Sequence, residues 1–221
     1  MQEAPSTNPG TSWILAQLGG GDNARNRAYT YVLRVYSKPL QRAYAASRFE
    51  LGDAEDLVQN YFHDRIARGN FLHNYSDRSK RLGHWLWIGF RHYCHEQLRA
   101  ERRWSQRVIE LDGERESAAL GPDRAFDHAL RKRWLMLALD ATQAELEREG
   151  ADKHWQVFAL RTFEGLRHAE IETRLQLEER RSEVMYATVK RRIRKKLELF
   201  LGRDGIPPER MQLAIQDLLE G

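Results

Sequence analysis

The residues with the most specific chemistry gather in one stretch. His92, Cys94 and His95 lie together, with His63 and His73 upstream. Zinc takes about four ligands converging on one point. On a helix His92 and His95 share a face while Cys94 points away, so the spacing predicts no metal site. Cys94 is the only cysteine, which excludes an internal disulfide and a multi-thiolate centre. Carboxylate pairs such as Glu178-Glu179 stand in polar runs without a histidine partner. No glycine-rich phosphate loop or nucleophile motif occurs. The chain is expected to be no enzyme and to need no cofactor.

What the sequence does offer is cationic. Lys and Arg number 36 against 32 Asp and Glu, a net charge of only +4. The distribution says more: basic residues cluster in 99–107 and 180–196. Between them stand Glu110, Asp112, Glu114, Glu116, Asp123 and Asp127. Two separate basic runs suggest a polyanion held in two places. The plainer reading is solvated helix faces.

The second run has a recognisable layout. Gly165-Leu166-Arg167-His168-Ala169-Glu170-Ile171 opens a short helix ending near Leu177, and Ser182 is expected to cap a long basic helix over 183–201. Short helix, turn, long helix is the helix-turn-helix signature. The second helix of such a motif enters the major groove with its first residues at base edges. Ser182, Glu183, Tyr186 and Lys190 stand there. Arg191, Arg192, Arg194, Lys195 and Lys196 are expected to reach phosphates, which position the helix. Val184, Val189, Ile193 and Leu197 are expected to form its apolar face.

The first run follows aromatics: Trp85, Trp87, Phe90 and Tyr93, then Arg91, Arg99, Arg102 and Arg103, with His92 and His95 between. Rings stack on exposed bases while cations hold the backbone. At least half of these rings are expected to be core instead.

The elements that must position these residues read as helices. Prolines stand at 5, 9, 39, 122, 207 and 208, leaving two long proline-free blocks of helical periodicity and no alternating run. The expected fold is all-α: two small helical domains joined by a charged linker, the second containing the helix-turn-helix. A flexible tail is expected over 1–23, the domains over 24–104 and 123–202, the linker over 105–122 and a helical extension over 203–221. Helices are expected near 24–50, 53–68, 82–104, 123–149, 152–164, 168–176 and 183–201, with Asp53 capping the second and a last helix from Pro207. No secretory leader or apolar run of about 20 residues is present, which predicts a cytoplasmic protein without membrane insertion.

These blocks resemble a known family. Asp53-Ala54-Glu55-Asp56-Leu57-Val58-Gln59-Asn60-Tyr61-Phe62 resembles the docking helix of extracytoplasmic-function sigma factors. Lys80-Arg81-Leu82-Gly83-His84-Trp85-Leu86, continuing to Leu98-Arg99-Ala100-Glu101-Arg102-Arg103, resembles the segment and helix that follow it. Phe158-Ala159-Leu160-Arg161 through Ile171, and Lys190-Arg191-Arg192-Ile193-Arg194-Lys195-Lys196-Leu197, resemble the family's second domain in order and spacing. The opening Thr11-Ser12-Trp13 and the C-terminal helix resemble a planctomycete-type subgroup more weakly.

The resemblance implies a factor that binds core RNA polymerase and directs promoter recognition and melting. Asp53, Asp56, Gln59, Asn60 and His63 would meet the clamp helices of the polymerase β′ subunit. The loop 69–80, with Asn74, Tyr75 and Lys80, would hold a flipped base of the minus-10 element. Arg91, His92, His95, Arg99, Arg102 and Arg103 would read or melt that element. Arg167, His168, Ser182, Glu183, Tyr186, Lys190, Arg191 and Arg194 would meet the minus-35 element, beside the polymerase β flap. An anti-sigma factor is admitted as a further partner. The chain departs from the family at Asn60, usually Glu, and at Gln176, usually Gly, where the turn through Arg181 is also longer. The alternative is a stand-alone helix-turn-helix regulator that uses the second block alone.

Overall fold

The computed structural model describes residues 9–47, 49–69, 71, 72, 75, 81–105 and 121–220. Side chains of 9–12, 102–105, 219 and 220 fall outside that description. Among the described residues the fold is all-α, with nine helices and no strand. They are α1 (Pro9–Leu18), α2 (Asp22–Ala45), α3 (Ala54–Ala67), α4 (Leu82–Ser105), α5 (Pro122–Arg148), α6 (Asp152–Thr162), α7 (His168–Leu175), α8 (Arg181–Asp204) and α9 (Pro208–Glu220). The chain divides into two compact units, one of residues 1–133 with 202–210, the other of 134–201 with 211–221.

The first unit is built on rings. Tyr61 of α3 lies 5.3 Å from Phe90 and 5.5 Å from Tyr93 of α4, centroid to centroid. Aromatic pairs at such distances favour tilted and edge-on geometry over a flat sandwich. Gly89 makes the approach possible, because a Cβ there would stand 2.8 Å from the Tyr61 hydroxyl oxygen. Trp87, Phe90 and Tyr93 are buried and Trp85 half-buried, so most of the α4 rings are core. Pro39 sits inside α2 on its buried face.

Residues 9–18, expected in a flexible tail, form a helix instead. Ile14 and Leu18 are buried and Trp13 meets the Tyr31 ring edge-on at 5.4 Å. The apolar island at 13–18 is thus part of the first core. Gly202, expected to end the second domain, and 203–210, expected to begin a C-terminal extension, also belong to this unit. Asp204 is fully buried and accepts from the Tyr36 hydroxyl, the Gly83 N–H and the Arg81 guanidinium, each at 2.8 Å. Burial raises its carboxyl above the ordinary value, and the three donors pull against that rise. Arg203 beside it lies 3.9 Å from the Trp13 ring centre and 4.9 Å from that of Tyr31. The expected linker, 105–122, falls almost wholly outside the described residues.

In the second unit Val157 and Leu160 of α6, Ile171 of α7 and Met185 of α8 form a buried cluster. Gly150 (φ +66°) and Gly165 (φ +72°) adopt the left-handed conformation just past α5 and α6, as the expected helix stops require. Further along α8, Val189, Ile193 and Leu197 are buried. Among the described residues no helix is long and apolar enough to cross a membrane.

Candidate functional site

In the first unit the sequence-predicted docking residues share a surface. The Asp53 carboxylate accepts from the N–H groups of Glu55 (2.7 Å) and Asp56 (3.2 Å), which starts α3 at Ala54. Leu57, Val58, Tyr61 and Phe62 then turn inward. Asp53, Asp56, Gln59, Asn60 and His63 are all exposed. Gln59 and His63 wall a groove of about 460 Å³. Leu33, Val58 and Phe62 give it an apolar floor, and Arg34, Lys38 and Arg133 a basic side. Arg133 is held in place by two bonds to the Arg34 carbonyl, at 3.1 and 2.9 Å. Sequence reasoning missed the α2 side of this groove, where Leu33 is exposed.

On α4, Arg91, His92, His95 and Arg99 are exposed. The Arg91 guanidinium lies 3.8 Å from Asp123, which also accepts from the Trp87 indole N–H. His95 meets Phe49 edge-on at 4.9 Å. Cys94 faces the core, and burial pushes its thiol up to about 12. Tyr75 corrects the sequence reading. It is 1% exposed and meets Trp85 edge-on at 5.4 Å, so its ring belongs to the core rather than to a base-holding surface. Asn74 and Lys80 lie outside the described residues, as do the side chains of Arg102 and Arg103. Among the described residues no three His, Cys, Asp or Glu side chains group to hold a metal ion.

In the second unit α7 opens with the Arg167 N–H donating to Glu170 at 2.7 Å, while the Arg167 guanidinium reaches the same carboxylate at 3.0 Å. It closes at Gln176, which takes φ 51° and ψ 54°, the left-handed conformation that glycine adopts most readily. Arg180 is left-handed too, at φ 62°. The helix α8 begins at Arg181, so Ser182 lies in its first turn and not before it. Ser182 is fully buried: its hydroxyl donates to Glu172 at 2.7 Å and sits 3.0 Å from His168 Nδ1. The Ser182 bond holds the Glu172 carboxyl below its ordinary value. Ser182 and half-buried His168 thus fasten α7 to α8, which corrects the expected place of Ser182 at base edges.

The apolar face of α8 carries Val189, Ile193 and Leu197 as expected and differs from the sequence reading only at its start. Met185 is buried, whereas Val184 is 58% exposed. Glu183, Val184, Ala187, Lys190, Arg191, Arg194 and Lys195 are exposed. Tyr186 is half-buried, its ring stacked on Phe158 at 5.8 Å with the Lys190 ammonium 5.5 Å from its centre. Arg192 and Lys196, expected at phosphates, are committed elsewhere. Arg192 bridges Glu145 of α5 (3.0 Å) and Glu149 just past its end (2.8 Å), and Lys196 pairs with Glu145. Those hydrogen bonds hold both glutamate carboxyls below their ordinary range. Arg191, Arg194 and Lys195 form no ion pair among the described residues. The six cations at 190–196 are thus sorted: Arg192 and Lys196 are spent on Glu145 and Glu149, and the other four are left exposed.

In comparisons with known proteins, no family model, no curated protein and no solved structure matches the chain.

Proposed function

We propose that this chain is a sigma factor of the extracytoplasmic-function type, which binds core RNA polymerase and directs it to promoters. The observation that carries the proposal is the sorting of α8. Lys190, Arg191, Arg194 and Lys195 are exposed beside Val184 and Ala187, behind a short helix that Ser182, His168 and Glu172 tie to it. That arrangement suits a helix-turn-helix whose second helix lies in a major groove. Small apolar side chains at its start suit thymine methyl groups, and the cations suit phosphates. Within this reading α3 and α4 belong to one working domain and α7 and α8 to the other. The first meets the minus-10 element through Arg91, His92, His95 and Arg99, and the second meets the minus-35 element.

The exposed row Asp53, Asp56, Gln59, Asn60 and His63 supports polymerase docking, because it pairs polar side chains with an apolar-floored groove. The test is binding to sigma-free bacterial core polymerase by gel filtration and titration. Asp56→Arg and Gln59→Ala variants should weaken binding about tenfold or more, since they place a wrong charge or remove a partner at an interface, with helix content unchanged. Core binding that these variants leave intact would remove α3 from the interface. Tight binding to a palindromic duplex without any affinity for core would favour a stand-alone DNA-binding regulator.

A further inference from the structure

The second unit contains a groove of about 580 Å³ that the reading above does not use. Leu135 and Leu139 of α5, Phe158, Phe163, Ile193 and Leu218 give it apolar walls. Phe163 is 65% exposed, and Leu135 and Leu139 are only half-buried, so these apolar side chains face open space. Lys190 and Arg194 also line it, and no aspartate or glutamate does. Both cations are exposed, and Lys190 stands over Tyr186, whose ring continues the wall through Phe158. The groove is therefore apolar over much of its lining, with Thr162, Gln212 and Gln216 as neutral polar members, and positive at Lys190 and Arg194.

We propose that this groove binds a small amphiphilic carboxylate, its acyl chain on the leucines and phenylalanines and its head on Lys190 and Arg194. The size supports a small ligand: site volumes of roughly 300–1,000 Å³ are usual for such molecules. A carboxylate on two cations gains charge-assisted hydrogen bonds, and a neutral head would leave the edge unmatched. Because Lys190 and Arg194 also belong to the face proposed for DNA, an occupied groove takes two cations away from phosphate. That consequence rests on the DNA reading; the binding itself does not.

The test is calorimetric titration of the full chain with octanoate, decanoate and dodecanoate below their micelle concentrations, without DNA or polymerase. The expected result is saturable one-to-one binding that tightens about twofold to fourfold per added methylene. The Lys190→Gln/Arg194→Gln double variant should bind dodecanoate about tenfold or more weakly. Phe163→Ser, at an exposed position, should weaken it several-fold (~3-fold) with unchanged circular dichroism. Absence of saturable binding overturns the proposal, as does equal affinity for dodecanol or an unaffected double variant. A groove that takes an acidic amphipathic peptide and refuses dodecanoate overturns it as well. None of these outcomes touches the assignment of polymerase binding.

Discussion

Six cations crowd one stretch of α8, and their partners decide what each can do. Arg192 and Lys196 hold Glu145 and Glu149, while Lys190, Arg191 and Arg194 face solvent. If the outward set meets phosphates, each of Lys190→Gln, Arg191→Gln and Arg194→Gln flattens the salt dependence of DNA binding by roughly one unit. Arg192→Gln should leave that slope unchanged and lower stability instead. Filter binding from low to moderate salt separates the two groups; equal slopes throughout would remove α8 from the DNA. At Gln176 the backbone is left-handed, a conformation that costs a non-glycine residue roughly 1–2 kcal/mol. Its side chain is exposed, so Gln176→Gly should gain about 0.5–1 kcal/mol after the added flexibility of the unfolded chain is counted. The urea midpoint reads this directly, and a lower midpoint would contradict it.

At the scale of elements, the α5–α8 clasp makes stability depend on pH. Glu145 and Glu149 have folded-state pKa values below their ordinary 4.5, so their contribution is full above that value. It is lost as pH falls through the lower folded values. The urea midpoint should be flat from neutral pH to about 5 and drop below about 4.5, and a Glu145→Gln/Glu149→Gln variant should drop less. A second junction is Asp204. Asp204→Ala leaves Tyr36, Arg81 and the Gly83 N–H without their acceptor, at a cost of about 3 kcal/mol. Gly83→Ala should also destabilise, because its Cβ would stand 2.8 Å from Leu130 and 2.9 Å from the Asp204 carboxylate. An unchanged urea midpoint in both variants would contradict this account of the junction.

The positions of α3 to α9 were legible in the sequence to within a few residues, because Asp53, Gly150, Gly165 and the proline pattern act locally. What a residue does once its helix folds was less so. Ser182 looks like a cap, but Glu172, ten residues earlier, takes its hydroxyl. Tyr75 sits in a polar loop, and only the fold brings it onto Trp85. The Val184 error was avoidable: counting back four from Val189 reaches Met185, the residue that is buried. The tail was misread because one apolar turn at 13–18 gives no hint of Tyr31 and Arg203, its partners.

For the whole molecule, all-α architecture followed from the absence of any alternating run, and the two long proline-free blocks hinted at more than one compact unit. The role of 202–210 did not, since the partners of Asp204 lie more than a hundred residues away in sequence. The proposed function needs two surfaces, one to dock and one to read a promoter, and neither alone would make a sigma factor. It is tested most directly by supplying the purified chain to sigma-free bacterial core polymerase with fragmented host DNA and sequencing the 5′ ends of the RNA. The account predicts discrete start sites that share two upstream elements and vanish when the chain is omitted. Start sites no different from those of core polymerase alone, together with no binding to core, would contradict it.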